Sequence, residues 1–286
     1  MSRQSLVLSA ARDGTVGPRS IRAVCPFCER AGHAGKKKNL DIDRKTGWWV
    51  CWRCNKKGKI DGWETDENVD LSIEPTVVLF DPPSSFVEIG KAPGSKSILT
   101  LGSRTYAKRR GLSETSVVEA QAGQILRREG EQDFTGRLII PILPAEEQDQ
   151  WLGWVGRDFT GEQETYKYPI GMSRGKILYN HRQVFVRTDV PILVVEGVLD
   201  VLPFWPNAVA VLGTFSQHQI DLLKEAKRPV LVALDGDAWR KGEALSMLLR
   251  MEGVDSGWLK LPPTKDPDEV IPWINMMMRR PELWMR

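Results

Sequence analysis

The four cysteines of this chain form two Cys-x-x-Cys pairs, Cys25 with Cys28 and Cys51 with Cys54. Thiolates are soft ligands that suit tetrahedral Zn²⁺, and a gap of two residues lets both sulfurs of a pair face one ion. The 22 residues between the pairs have the length of a β-hairpin. Strand-like alternation in that stretch runs over Leu40, Ile42, Trp48, Val50 and Trp52. We therefore predict a zinc ribbon, a small antiparallel β module that holds one structural Zn²⁺.

Disulfides and a redox pair are the alternatives for these cysteines. The first fifteen residues lack the apolar core of a secretion signal, and the thiols of cytosolic proteins stay reduced. Both points favour a metal site. His33 lies between the two pairs, but four thiolates complete a tetrahedral shell, so we expect it outside the ligand set.

Basic and aromatic side chains are concentrated around the cysteines. Residues 1–60 carry 14 Lys or Arg against four Asp or Glu, whereas residues 61–90 carry eight acids and no Lys or Arg. This pattern is that of a solvated basic surface or of a surface that binds single-stranded nucleic acid through cations and indole faces. We expect one or two of the tryptophans here to lie in the core. The candidate nucleic-acid contacts are Lys36, Lys38, Trp49, Trp52 and Arg53.

Acidic residues follow two apolar runs in the last third of the chain. Glu196 ends the first run, and 39 residues later Asp235 and Asp237 end another. In an open parallel sheet the carboxyl ends of the strands meet at one crevice, so we expect these carboxylates to face one another. Further acids that could reach the same edge are Asp200, Asp266 and Asp268.

Carboxylates gathered in one place repel each other unless a cation joins them. Their hard oxygen atoms favour Mg²⁺ or Mn²⁺, and two such ions can activate an attacking hydroxyl and stabilise a leaving oxygen in phosphoryl transfer. The alternative is that acids after strands only cap helices. The combination of Glu-Gly and Asp-Gly-Asp, each at a strand end, favours the catalytic interpretation.

The elements that must position these acids are predicted from alternating apolar runs and helical spacing. Ser216 and Gln219 resemble a capping box at the start of one helix. The resulting β-α-β order predicts a Rossmann-like parallel sheet covered by helices on both faces. The strand runs are 191–197, 208–213, 229–235 and 257–261.

Composition divides the 286 residues into four parts. The middle of the chain mixes short apolar runs with turn residues, which predicts an α+β fold. The segment before it is acidic and contains prolines, as linkers do. The predicted parts are a zinc-ribbon domain at 1–62, a linker at 63–97, a mixed α+β subdomain at 98–188 and the parallel-sheet subdomain with a helical tail at 189–286.

Several of these motifs match a known family. The run 195–200, Val-Glu-Gly-Val-Leu-Asp, together with Asp235-Gly236-Asp237, resembles the Toprim domain. The middle of the chain is similar to successive motifs of the polymerase domain of bacterial DnaG-type primases. Those motifs lie at 110–113, 136–142, 153–157, 166–169 and 176–179.

The resemblance implies a DNA primase, a template-directed RNA polymerase that makes short RNA primers from ribonucleoside triphosphates on single-stranded DNA. It implies catalytic roles for Glu196, Asp235 and Asp237. Two or more Mg²⁺ or Mn²⁺ ions would bind these three acids with Asp200, Asp266 and Asp268. Template and nucleotide would contact Arg137, Arg157, Lys167 and Lys176.

The chain also departs from the family pattern. Ala238-Trp239-Arg240 stands where the family has small residues, which puts the packing of the following helix in question. Four cysteines bind the ribbon metal where many members use a histidine. The chain ends soon after the acidic motifs, so it resembles the short primases of bacteriophages or mobile elements. We expect a cytoplasmic location in a bacterial cell, with a separate replicative helicase as partner.

Other functions receive less support from the sequence. The tyrosines all precede Glu196, which does not fit a topoisomerase, and the run 90–97 fails the pattern of a Walker loop. No apolar run approaches the length of a membrane span. The remaining alternatives are a noncatalytic nucleic-acid-binding replication protein and a Toprim nuclease.

Overall fold

The computed structural model describes residues 3–12, 14–16, 20–32, 38–54, 56–63, 77–91, 98–146, 148–186, 190–213 and 215–285. It divides the chain into two compact units, residues 1–76 and residues 77–286. His33, expected outside the zinc ligand set, and Lys36, a candidate nucleic-acid contact, lie outside the described residues.

The first unit is built on an antiparallel sheet. Its strands are β1 (Thr15–Val16), β2 (Ser20–Ala23), β3 (Leu40–Asp43), β4 (Trp48–Cys51) and β5 (Lys57–Lys59), and they pair in chain order. Two helices, α1 (Arg3–Arg12) and α2 (Pro26–Arg30), belong to the same unit. This arrangement confirms the predicted antiparallel β module.

The core of the first unit decides which face of β4 is buried. Leu40 pairs with Cys51 and Ile42 pairs with Trp49, and all four side chains lie in one hydrophobic cluster. The alternating apolar residues Trp48 and Val50 predicted the strand, but Trp49 and Cys51 are the residues of β4 that face the core. Side chains alternate along a strand, so Trp48 points away from the core and is 52% exposed.

The second unit contains a five-stranded antiparallel sheet in the order β10-β9-β8-β7-β6. The strands are β6 (Phe86–Glu88), β7 (Gly123–Ile125), β8 (Arg137–Ile142), β9 (Gly153–Asp158) and β10 (Tyr166–Lys167), and helices α3 (Leu101–Arg109) and α4 (Glu114–Glu119) belong to the same region. Every residue of β8 is buried, as expected of the central strand. Because β6 pairs with β7, part of the predicted linker 63–97 belongs to this sheet instead.

A parallel sheet in the order β12-β11-β13-β14 follows. Its strands are β11 (Ile192–Val195), β12 (Ala208–Ala210), β13 (Val230–Val232) and β14 (Ser256–Trp258). Helices of this part are α5 (His181–Val186), α6 (Val198–Val201), α7 (Gln217–Glu225), α8 (Trp239–Met251) and α9 (Ile271–Arg279). The predicted Rossmann-like sheet is confirmed, as is the capping box: Gln219 N–H donates to Ser216 Oγ and Ser216 N–H donates to Gln219 Oε1.

One hydrophobic cluster extends through both sheets of the second unit. It contains Ile140 and Val155 from the antiparallel sheet and Leu193 and Leu231 from the parallel sheet. The two sheets therefore share one core, and the predicted boundary near residue 188 stays a prediction. Within the described residues, every helix is too short or too polar to cross a membrane.

Candidate functional site

The four cysteines converge in the first unit. Cys25 and Cys28 lie just before and within α2, Cys51 ends β4, and Cys54 lies in the turn that follows. Their Sγ atoms all lie within 4.8 Å of one another, and among the described residues no other group of Cys, His, Asp or Glu is gathered as closely. All four are free thiols.

The sulfur positions fit a tetrahedral metal ion. Four sulfurs at about 2.3 Å from a shared centre lie about 3.8 Å apart. Cys25 Sγ is 3.8 Å from Cys54 Sγ, and Cys28 Sγ is 3.7 Å from Cys51 Sγ. Burial raises the pKa of the Cys25 thiol to about 11 and raises that of Cys28 as well. A bound cation reverses this effect because it stabilises the thiolates.

The predicted nucleic-acid contacts of the first unit have different surroundings. Trp49 is 6% exposed and stacks on Phe27 with ring centroids 5.7 Å apart, so it is a core residue, not a nucleic-acid contact. Trp52 is half-buried and Arg53 is exposed. Lys38 is exposed, and its Nζ donates to Thr15 Oγ1.

The exposed face of β4 has an aromatic and basic pattern that the prediction missed. Trp48 pairs with Lys59 across the β4–β5 ladder, and Val50 pairs with Lys57. Both lysines are exposed. The sequence contained a signal for this arrangement. Residues two positions apart on a strand face the same side, so a buried metal ligand at Cys51 requires Trp49 to face the interior as well. Trp48 must then face outward.

The acids of the second unit meet where the strand order of the parallel sheet reverses. β11 pairs with β12 on one side and with β13 on the other. Glu196 directly follows β11, and Asp235 lies three residues after β13 ends. The chain passes from β11 to β12 on one side of the sheet and from β13 to β14 on the other. Because these two connections leave in opposite directions, a crevice opens beyond the carboxyl ends of β11 and β13.

Two glycines shape this crevice. Gly197 N–H donates to Asp200 Oδ2 at 3.2 Å, and a Cβ at Gly197 would press on that carboxylate. Gly236 N–H donates to Lys265 O at 3.0 Å, and a Cβ there would collide with the carbonyl of Pro262. The segment from Pro262 to Lys265, which leads to Asp266, therefore packs against the loop that contains Asp235.

The carboxylates influence each other strongly. Burial raises the pKa of Asp235 to about 6, and the charges of Glu196, Asp266, Asp237 and Asp268 add to this rise. Burial likewise raises the pKa of Asp200 to about 8, with contributions from Asp235, Asp268 and Asp266. All six predicted acids are therefore brought together.

The acidic cluster fits a hard divalent cation. Asp235 Oδ1 is buried and, within the described structure, accepts no hydrogen bond. An unpaired buried carboxylate oxygen is costly, and a cation would satisfy it. The acids are less closely gathered than the cysteines, which suits an ion that shares its shell with water and phosphate oxygens.

Of the predicted basic residues, Arg157 and Lys167 lie on the antiparallel sheet, and Lys176 follows this sheet in the chain. Arg157 Nε donates to Tyr106 Oη at 2.9 Å, and its guanidinium lies 4.7 Å from the Tyr166 ring centroid. Lys167 Nζ donates to Asp133 O at 2.8 Å. Lys176 ends the 3₁₀ turn Arg174–Lys176 and is half-buried.

Arg137 does not fit the predicted role of a template or nucleotide contact. It is 1% exposed, and its guanidinium donates to Glu164 O at 2.7 Å, Gly156 O at 3.1 Å and Gln163 Oε1 at 3.1 Å. A guanidinium enclosed in this way has no surface to offer a ligand. Arg137 instead ties β8 to β9 and to the segment before β10.

The structure adds residues that the prediction did not place at the site. Arg110 Nη2 forms a 2.8 Å ion pair with Asp268 Oδ2, joining the end of α3 to the acidic loop. Arg174 lies 4.6 Å from the Tyr168 ring centroid. Burial raises the pKa of Tyr168, Arg174 opposes the rise and the charge of Glu196 adds to it. The sequence did contain a signal for two of these residues: Arg110 lies in the motif at 110–113 and Tyr168 in the motif at 166–169.

Comparisons with known proteins agree with this geometry. Residues 193–271 match the family described as Toprim-like. The chain is 26% identical over 185 residues to a DNA primase of Clostridium acetobutylicum, an alignment that covers 58% of this chain and 30% of that protein. The chain thus spans less than a third of the length of this curated relative.

Solved structures of similar fold include two primase fragments. A DnaG primase catalytic domain bound to single-stranded DNA has a TM-score of 0.55 and 23% identity, covering 65% of this chain and 73% of that one. The zinc-binding and RNA polymerase domains of the Aquifex aeolicus primase give a TM-score of 0.51 at 18% identity, covering 98% and 82%. Residues 193–271 are therefore similar to the Toprim-like family, and the chain shares the fold of these solved primase domains.

Proposed function

We propose that this protein is a DNA primase, which synthesises short RNA primers on a single-stranded DNA template. The observation that carries the proposal is the meeting of six carboxylates at the strand-order reversal, beside arginine and tyrosine side chains from the antiparallel sheet. A fold resembling the DnaG catalytic domain that was solved with single-stranded DNA supports the same function.

The acids would hold two or more Mg²⁺ or Mn²⁺ ions. Glu196, Asp235 and Asp237 are the central ligands, and Asp200, Asp266 and Asp268 complete the cluster. When bound, such ions supply Lewis acidity for attack of a 3′ hydroxyl on an α-phosphate. Asp235, with its unpartnered buried oxygen, is the acid that most needs a cation.

The basic side chains would position the template and the triphosphate. Arg157, Lys167 and Lys176 are the candidates, and a cation beside the triphosphate offsets charge that develops during transfer. Arg110 would act as a positioning residue because its ion pair holds Asp268 at the acidic edge.

The first unit would hold one structural Zn²⁺ through its four cysteines and contact the template through its exposed face. Trp52, Arg53 and Lys38 remain candidates, and we add Trp48, Lys57 and Lys59 from the exposed ladder. Lys36 lies outside the described residues. A separate helicase partner, a cytoplasmic location and a bacteriophage source stay predictions.

The proposal is tested by incorporation of labelled ribonucleotides on mixed-sequence single-stranded DNA with Mg²⁺. The intact chain is expected to make short RNA, and Asp235→Ala should reduce the product by about 100-fold or more because a central ligand is lost. Asp149→Ala, an exposed acid between β8 and β9, is the matched control. Absence of RNA from the intact chain, or undiminished product from Asp235→Ala, contradicts the proposal. Cleavage of the DNA in its place would indicate a nuclease.

A further inference from the structure

Two stacked indoles lie beside the acidic cluster. The rings of Trp239 and Trp258 are 5.7 Å apart between centroids and inclined by 16°. Trp239 is the first residue of α8, which begins just after Asp237, and Trp258 is the last residue of β14. Both positions are at the carboxyl edge of the parallel sheet, and Trp239 belongs to the run 238–240 in which the chain departs from the family pattern.

Two cations lie against this indole pair. Lys260 Nζ is 4.5 Å from the Trp239 ring centroid, and the Arg240 guanidinium is 4.8 Å from it. Both residues are exposed. In the part of the chain that the structure describes, neither forms an ion pair with a carboxylate. Their charge is therefore available to an external anion.

The position of the indoles relates them to the chemistry of the cluster. β14 is the edge strand of the sheet and pairs with β13 in a register that sets Trp258 opposite Val232. Leu259 N–H extends this ladder by donating to Val232 O at 2.8 Å. Lys260 directly follows this ladder, at the same end of the sheet as the segment that leads from β13 to Asp235.

We propose that Trp239, Trp258, Arg240 and Lys260 form a binding surface for the single-stranded DNA template next to the acidic cluster. Half-buried indoles offer faces on which unpaired bases stack, and unpaired cations beside them attract the phosphates. This inference rests on the proposed function. We assign the template, not the RNA product, because template bases ahead of synthesis are unpaired whereas product bases are paired.

The charge contribution is tested by binding of a fluorescein-labelled oligodeoxythymidylate of about 20 nucleotides to the full chain, followed by anisotropy at several salt concentrations. Arg240→Gln with Lys260→Gln should weaken binding about 10-fold at low salt and reduce the slope of log K against log salt by about 1.4. Both changes are at exposed side chains, so folding is expected to be preserved.

The matched control removes two cations from the opposite edge of the same sheet. Lys224 lies at the end of α7, and Lys227 follows it just before β13. Lys227 has a φ of 51°, a conformation that asparagine tolerates, so the control is Lys224→Gln with Lys227→Asn. An equal loss of affinity and slope in both double variants would overturn the proposal.

The indoles are tested by photocrosslinking with an oligonucleotide that contains 5-iododeoxyuridine. The crosslink is expected at Trp239 or Trp258, to survive in Trp239→Phe and to decrease in Trp239→Leu, which keeps apolar bulk but loses the ring face. If Trp239→Leu does not fold, the crosslinking map of the intact chain decides. Crosslinks elsewhere but not at these indoles, or tighter binding of oligouridylate RNA at this surface, would contradict the assignment.

The same measurements separate this surface from the proposed function. A chain that makes no RNA but crosslinks at Trp239 or Trp258 would refute primase activity and leave a single-strand DNA site. A chain that makes RNA, but whose Arg240/Lys260 variant binds like the control, would refute the surface and leave the primase.

Discussion

Arg137 and Arg157 lie on neighbouring strands, but their guanidinium groups have different surroundings. Arg137 is enclosed and donates to two backbone carbonyls, of Gly156 and Glu164. Arg157 is half-buried and lies between Tyr106 and Tyr166. A buried cation without its hydrogen-bond partners is costly, and so are carbonyls that lose a buried donor. We therefore expect the first arginine to support folding and the second to support activity.

Arg137→Met should lower the free energy of unfolding by about 2–4 kcal/mol, because Gly156 O and Glu164 O lose their guanidinium donor. Arg157→Met should reduce primer synthesis while changing stability much less. Denaturant unfolding and ribonucleotide incorporation, measured on both variants, check this contrast. A fully stable but inactive Arg137→Met protein would instead support direct contact between Arg137 and a ligand.

At the scale of elements, the turn from β9 to β10 depends on one carboxylate. Asp158 accepts hydrogen bonds from Thr160 N, Thr160 Oγ1, Gly161 N and Gln163 N. Burial opposes its ionisation, but these donors outweigh burial and hold the pKa of Asp158 at about 2. The turn leads directly to Tyr166 and Lys167 of β10.

Asp158→Asn should lower stability at pH 7 by about 1–3 kcal/mol, since an amide oxygen replaces the charged acceptor. The lowered pKa sets the sign of the pH dependence. The contribution is complete above the unfolded pKa of about 4 and is lost as the pH falls toward 2.

Denaturant unfolding at pH 7 and pH 3 measures this effect. The difference between the intact chain and Asp158→Asn should be smaller at pH 3. Asp149→Asn, at an exposed acid on the preceding loop, serves as the control. A difference that grows toward pH 3 would show that the turn does not depend on the ionised carboxylate.

At the scale of the whole molecule, each unit has its own core. The cluster around Leu40, Trp49 and Cys51 belongs to the first unit, and the cluster from Ile89 to Trp284 belongs to the second. Binding of a metal to thiolates contributes directly to folding of a small module, whereas the second unit has no cysteine ligand.

Removal of metal with a chelator, or Cys51→Ser, should therefore destabilise the first unit and leave the thermal transition of the second unchanged. Calorimetry of the full chain measures both transitions. In activity assays Cys51→Ser should abolish template-dependent initiation, while extension of a supplied primer should partly survive. Equal loss of both activities, or an equal shift of both transitions, would contradict separate roles for the units.

Local patterns in the sequence were sufficient for several features. The spacing of the cysteines predicted that their four sulfurs converge, because each Cys-x-x-Cys turn is made within a few residues. Apolar runs that end in acids predicted the parallel sheet and the meeting of Glu196 and Asp235 at one edge, because strand ends in such a sheet converge.

Tertiary structure decided which side chains are enclosed. Arg137, Trp49 and Trp48 could not be sorted by residue type, because burial depends on which partner strand covers each face. The pairing of Arg110 with Asp268, 158 residues apart, likewise required the folded chain.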